Sequence, residues 1–266
     1  MTSIAARQWL SAGRSIWSSL WPEIRRCWRL LRIVVHIFYG LLLALFIGAF
    51  WRPYRPMVQR ATRHWIRVLM PILGVDLDVQ GRPTADTAFV VSNHVSWLDI
   101  PLLGGECSVH FLSKAEVRDW PLIGLLAQAI GTLFIRRGAG ESQRKGQEIA
   151  DHLLRGRTVL VFPEGTTTDG HEVRRFFPQL FVAPVLAGVP VQPVAIRYLD
   201  DQGDVDTSLA FIGDDAFEQH LWQLLRRDRI RARVTWGNAL VPSTDREVLC
   251  HAAWEQVSSL LGSSRQ

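Results

Sequence analysis

Hydrophobic and polar positions divide the 266-residue chain into two textures. The first, to about residue 73, is built around an apolar run, Ile33–Trp51, that only His36 interrupts. That run is close to the ~20 residues needed to cross a bilayer. After Gly74, short apolar runs alternate with stretches of helical period, the pattern of an α/β sheet. Strands are predicted near 76–80, 87–92, 108–112, 132–136, 158–162, 191–197, 208–212 and 230–236. Helices are predicted near 97–104, 115–130, 142–155, 175–188, 215–227 and 244–262, the last opened by a Thr244/Glu247 capping box. Pro193 marks the 191–197 strand as edge or bulged. The expected organisation is a helical arm over 1–73 and an α/β domain flanked by helices over 74–266.

Charge sharpens the reading of the arm. Residues 1–70 carry eleven Arg against one acid, Glu23, a net +10, so the rest is net −5 under an overall +5. Six of the eleven Trp lie there too: Trp9, Trp17, Trp21, Trp28, Trp51 and Trp65. Arg and Trp around an apolar run fit an anionic membrane interface and argue against nucleic acid as the partner. The run starts late and no small-residue cleavage site follows, which argues against a signal peptide. Arg25, Arg26, Arg29 and Arg32 precede it and Arg52, Arg55, Arg60, Arg63 and Arg67 follow, so charge assigns no orientation. Two membrane readings stay open. The helix spans, or it enters one leaflet and returns through 53–73, where Met57, Ile66, Leu69, Met70 and Leu73 form an apolar face. Residues 4–21 read as a separate interfacial helix anchored by Ile4, Trp9, Ile16, Trp17 and Leu20. A buried helical hairpin in a soluble protein is the bland alternative.

Cys27, Cys107 and Cys250 are too scattered for a zinc site or a disulfide framework and are expected as buried, reduced thiols. No metal is expected. The chemistry concentrates after the second strand, in SNHVSWLDI (Ser92–Ile100). His94 and Asp99 are five residues apart, which on one straight helix would set them about 140° apart. They meet only if His94 sits in the strand-end turn and Asp99 in the first turn of the next helix. Ser96 and Asp99 resemble a capping box, and Pro101 suits an early helical position. An imidazole whose second nitrogen faces a carboxylate can take a proton from a hydroxyl. A helix cap and a turn histidine are the bland reading of the same residues. Lys114, one of only two lysines, follows a strand, where it meets an anion or is solvated. Arg136 in GTLFIRR can clamp a phosphate or lie on the surface. In FPEGTTTDG, Glu164 can accept a hydrogen bond from a hydroxyl or position Arg136, and the Gly165 and Thr166 N–H groups, with the threonine hydroxyls, can bind an oxyanion; an ordinary turn is the alternative.

Taken together and in order, NHVSWLD, GTLFIRR, FPEGT and VPVQPVAI resemble the four signature motifs of the glycerolipid acyltransferases. They are most similar to those of the bacterial 1-acyl-sn-glycerol-3-phosphate acyltransferases, over roughly Gly74–Arg197. The resemblance implies a mixed sheet flanked by helices, with His94 and Asp99 as the catalytic pair. It implies that Arg136, Glu164, Gly165, Thr166 and Lys114 bind the substrate. It further implies acyl transfer from acyl-CoA or acyl carrier protein to a lysophospholipid, with no cofactor beyond that co-substrate and no covalent intermediate. The place is the membrane, with the catalytic domain at the cytoplasmic face of a bacterial inner membrane. One departure bears on the acceptor. Phosphate-acting members commonly carry Arg after FPEGT, whereas this chain has Thr167, with Arg174 and Arg175 as candidate substitutes. The expected acceptor is 1-acylglycerol-3-phosphate. The alternatives are a lyso-ornithine lipid and a non-catalytic lipid-binding role.

Overall fold

The computed structural model describes residues 3–84, 86–135, 141–213 and 215–262. Its frame is a seven-stranded mixed sheet in the order β1-β7-β6-β2-β5-β3-β4. The strands are β1 (Val75–Gln80), β2 (Phe89–Ser92), β3 (His110–Lys114), β4 (Leu133–Ile135), β5 (Val159–Val161), β6 (Val191–Leu199) and β7 (Ile230–Trp236). All neighbours are parallel except β6 and β7. The two-residue period of the strands sorts their side chains into two cores. Val90, Leu160, Val194 and Ile196 join the core under α2 (Pro56–Leu73), α3 (Asp99–Glu106) and α7 (Phe217–Leu224). Phe89, Val91, Val159, Val161, Val191 and Ala195 join the core under α5 (Glu141–Leu154), α6 (Val182–Ala187) and α8 (Arg246–Gly262). With both faces covered, β2 is buried at all four positions.

Several expectations change. The run near 208–212 is not a strand; it forms a single 3-10 turn, Thr207–Leu209, opened by Asp206 accepting from Ser208 N–H. The predicted 115–130 helix breaks at Trp120-Pro121-Leu122 into a 3-10 turn, Ala115–Asp119, and α4 (Ile123–Ala129), as a proline lacking a donor demands. The 175–188 helix likewise opens with a 3-10 turn, Pro178–Phe181, before α6. At α8, Asp245 rather than Thr244 caps, its carboxylate accepting from Glu247 and Val248 N–H. Pro193 lies in β6, an interior strand, not at an edge. The β6–β7 ladder ends at Val194↔Trp236, and Pro193 only accepts there, from Gly237 N–H, so its missing donor costs no ladder bond. Cys107 and Cys250 are buried but Cys27 is exposed.

The arm is one helix, α1 (Ser3–Phe46), that runs through Pro22; there is no separate helix over 4–21. The side chains of Ile4, Trp9, Ile16 and Trp17 lie outside the described residues, and Leu20 is exposed. Among the described residues, Leu20–Phe46 is the one stretch long and apolar enough to cross a membrane. One stripe of it, Arg26, Arg29, His36, Gly40 and Ala44, is buried at helical spacing against the body. The opposite face, including Trp28, Leu31, Val35, Phe38, Leu42 and Phe46, is exposed. His36, the one polar interruption, stacks on Trp65 at 4.7 Å and exchanges side chain-to-carbonyl hydrogen bonds with it at 3.0 Å in both directions. The proposed apolar face of 53–73 does not face lipid: Ile66, Met70 and Leu73 enter the body's core, and only Met57 of the buried-or-exposed extremes stays outside. An amphipathic helix needs its stripe covered, and here Gly104 and Gly105 of α3 let α2 approach closely enough to do so.

Arg29 fixes α1 to the body. Its guanidinium donates to the carbonyls of Leu225 (3.4 Å), Arg227 (2.6 Å) and Asp228 (3.1 Å), beyond the end of α7. A side chain at Gly74, which has φ 79°, would collide with it. Arg29→Ala should therefore lower the unfolding free energy by about 1.5–3 kcal/mol, the range for hydrogen bonds to charged groups. Denaturant unfolding in detergent, compared with exposed Arg32→Ala, measures it.

Candidate active site

β2, β5 and β3 are parallel, so the segments leaving them emerge on one edge of the sheet, the usual location of ligand sites in α/β folds. Where β2 ends, Asn93 replaces backbone pairing with its side chain. Its Nδ2 donates to Ile196 O at 2.9 Å and its Oδ1 accepts from Ile196 N–H at 2.8 Å. The amide thus holds the last step to β6 while the main chain turns away. The turn brings His94 and Asp99 together, with Nδ1 and Oδ2 2.7 Å apart.

Asp99 is fully buried and holds four donors. Oδ2 accepts from His94 Nδ1 and from the N–H groups of Val95 (2.7 Å) and Ser96 (3.0 Å), while Oδ1 accepts from Tyr198 O–H at 2.6 Å. The reach back to Ser96 N–H is half of the expected capping box; the other half is absent, because Ser96 Oγ has no hydrogen-bond partner. Burial, and the carboxylate beside it, hold the Tyr198 phenol well above its ordinary range, so it remains a donor. With Nδ1–H pointing at a carboxylate, the imidazole carries its basic lone pair on Nε2. The ring lies parallel to Phe162 at 4.0 Å, and the His94 side chain keeps 19% of its surface exposed.

Every backbone polar group of residues 94–96 is satisfied. His94 N–H donates to Glu164 Oε1 (2.8 Å) and His94 O accepts from Thr168 N–H (2.8 Å). Val95 O accepts from Phe211 N–H (2.9 Å), and Ser96 O from Asp99 N–H (3.1 Å). The Val95 and Ser96 N–H groups go to Asp99. The loop is held from four directions, by α3, by the turn after β5, by the segment before α7 and by β6.

The other predicted residues distribute differently. Glu164 is 3% exposed, and its second oxygen accepts from Arg174 N–H at 2.7 Å. It clasps two loops, a role not read from the sequence. Burial pushes its carboxyl up to about 7, while the Arg174 and His94 N–H groups pull the other way. Gly165 has φ 69° and is exposed beside Phe177, and Thr166 is exposed. Thr167 Oγ1 donates to Phe211 O. Lys114 ends β3, in register with Ile135; its side chain and all of Arg136 lie outside the described residues. Arg174 and Arg175 are exposed. Among the described residues no three His, Cys, Asp or Glu gather to hold a metal ion. Tyr198 and Asn93 were not singled out as site residues: Asn93 opens the NHVSWLD block but was given no role of its own, and the only signal for Tyr198 was its position just after VPVQPVAI.

The Acyltransferase family model matches residues 76–197, which contain all of these groups except Tyr198, one residue beyond the match, and Phe211. The lyso-ornithine lipid O-acyltransferase of Pseudomonas aeruginosa is 51% identical over 174 residues, 65% of this chain and 67% of that protein. The chain belongs to the glycerolipid acyltransferase family. A 1-acyl-sn-glycerol-3-phosphate acyltransferase of Neisseria meningitidis is 32% identical over 180 residues, 66% of this chain and 70% of its own. The fold is that of the 1-acyl-sn-glycerophosphate acyltransferase of Thermotoga maritima. That structure superposes with a TM-score of 0.68 at 23% identity, over 92% of this chain and 96% of the other. The protein is an O-acyltransferase acting on lysolipids.

Tyr198 generates a prediction specific to this geometry. In Tyr198→Phe, Asp99 loses one of its four donors, and the loop that orients His94 loses a side-chain tie to β6. kcat of this acyltransferase should fall at least about tenfold, as expected for a lost hydrogen bond of about 1.5–3 kcal/mol to a charged group, with KM little changed. A lowered thermal midpoint with kcat unchanged would assign Tyr198 to packing alone.

Proposed function

We propose that this acyltransferase moves a fatty acyl group from a thioester, acyl-CoA or acyl carrier protein, to the free hydroxyl of a lyso-ornithine lipid. The observation that carries this acceptor is the 51% identity to a protein of that name, against 32% to a lysophosphatidate-acting one. The motif content alone favoured lysophosphatidate. Position 167 supports the revision. A dianionic phosphate is held best by more than one charge-assisted donor, and Thr167 turns its hydroxyl to Phe211 O instead.

In this reading the acceptor hydroxyl lies at His94 Nε2. His94 removes its proton as the oxygen attacks the thioester carbonyl, and Asp99 stabilises the imidazolium that forms. Donors at the loop after β5 face the tetrahedral oxyanion. As it collapses, the C–S bond breaks and His94 returns the proton to the thiolate. The carboxylate's four donors support the assignment, because they fix which imidazole nitrogen is basic. Gly165, Thr166, Lys114 and Arg136 remain the proposed acceptor and donor contacts, and Glu164 acts by holding the His94 backbone.

The arm is the membrane anchor. Its buried stripe follows the body from Arg26 to Ala44, which supports immersion of the opposite, apolar face in one leaflet over a crossing that leaves the body behind. Thioester donors are made in the cytoplasm, so the catalytic domain is placed at the cytoplasmic face of the inner membrane.

Two measurements test this function. His94→Ala should lose at least ~10²–10⁴ in turnover, the contribution typical of a general base, with unfolding unchanged; near wild-type turnover would remove His94 from the mechanism. With one acyl donor, kcat/KM should be greater for lyso-ornithine lipid than for lysophosphatidate. The reverse ratio would restore the phosphate acceptor.

A further inference from the structure

The break at Trp120-Pro121-Leu122 leaves apolar side chains that the acyltransferase chemistry does not use. Trp120, Leu122, Ile123 and Leu125 are all exposed, Leu125 at 48%. Leu122 has φ 62°, the only non-glycine residue with positive φ among those described. A bulky residue in that conformation is strained, and glycine would relieve the strain. An exposed leucine kept there at a conformational cost points to a use for its side chain.

Position identifies the use. The segment leaves the end of β3 and so emerges on the sheet edge that carries His94. Trp120 packs on Phe217 at 5.3 Å, and Phe217 on Trp97 at 5.1 Å; Trp97 lies in the loop between His94 and Asp99. In the other direction, Ala129 at the end of α4 is buried with Ala44 and Ala49, at and beyond the end of α1. α4 has seven residues, so its exposed start lies within about 10 Å of that joint. The patch is therefore continuous with the helix whose own outward face is apolar.

We propose that Trp120–Leu125 is a second bilayer-inserting element, which presses the active-site edge into the lipid interface where the lysolipid resides. This rests on the membrane reading of α1. The partner is a lipid surface: the exposed groups are one Trp, Pro121 and three aliphatic side chains, all apolar, the combination that suits the boundary between headgroups and acyl chains.

The test uses the full chain reconstituted with vesicles of phosphatidylethanolamine and phosphatidylglycerol. In a Cys27→Ser background, an environment-sensitive fluorophore is placed at Leu125→Cys or, as a control on α8, at Glu255→Cys. Emission from position 125 should shift to the blue on vesicle addition and that from 255 should not. Leu122→Gly, which relieves the strained φ, should have a thermal midpoint no lower than wild type and still float with vesicles through α1. Its activity ratio, vesicle-embedded over short-chain soluble acceptor, should fall at least about tenfold, the loss expected when one leucine's transfer from water is forfeited. A protein that floats while the label at 125 stays aqueous would overturn the inserting element and leave the α1 anchor standing. A wild type that fails to float would overturn both. A blue shift with acyl carrier protein but not with vesicles would reassign the patch to the donor and reject the lipid surface.

Discussion

The active-site edge depends on one carboxylate. Asp99 is completely buried, and burial of an ionised group is tolerated only when its lone pairs are spoken for. Four donors meet that condition: the His94 ring, two N–H groups of the loop and the Tyr198 hydroxyl. The same bonds that solvate Asp99 shape the loop, choose the imidazole tautomer and join α3 to β6. Removing any donor disturbs all three, which is why the histidine can be both partly exposed and fixed.

Around that centre, residues of the NHVSWLD and FPEGTTTDG blocks have structural tasks that are separable from contact with substrate. Asn93 finishes the strand, Glu164 holds the His94 backbone, and Thr167 and Thr168 tie the turn after β5 to its neighbours. Much of the sequence signature of this acyltransferase is thus a scaffold for one turn of three residues. Positioning a base to within a fraction of an ångström requires such support, since misplacement costs rate even when every reacting group is present.

The arm follows the same logic at larger scale. α1 is neither a free membrane anchor nor a core helix. One stripe is fastened to the body through Arg29 and through the reciprocal His36–Trp65 contact, and the other is left apolar and uncovered. Because the fastened stripe runs along the body, the uncovered apolar face of α1 and the sheet edge that carries His94 have a fixed relation.

Local physics made much of this legible in the sequence. Short apolar runs between helical stretches placed seven strands near their observed positions, the five-residue spacing required His94 and Asp99 to meet across a turn, and Arg and Trp around an apolar run identified the arm. What failed was whatever depended on a distant partner. An apolar stripe such as Ile66, Met70 and Leu73 announces that it needs cover, yet it is the same pattern whether lipid or a neighbouring helix supplies it; glycines in α3 decided for the helix. Pro193 reads as an edge residue until the end of β7 is placed beside it. The 208–212 run has strand composition but meets the His94 loop by a single hydrogen bond, Phe211 N–H to Val95 O. Tyr198 lies 99 residues from Asp99 in the chain, and no periodicity encodes that distance. The sequence by itself determined which residues are candidates for the chemistry, because residue type and local spacing are local properties. Only the tertiary structure decided which of them contact one another, because a buried charge accepts whichever donors the packing of separate elements delivers to it.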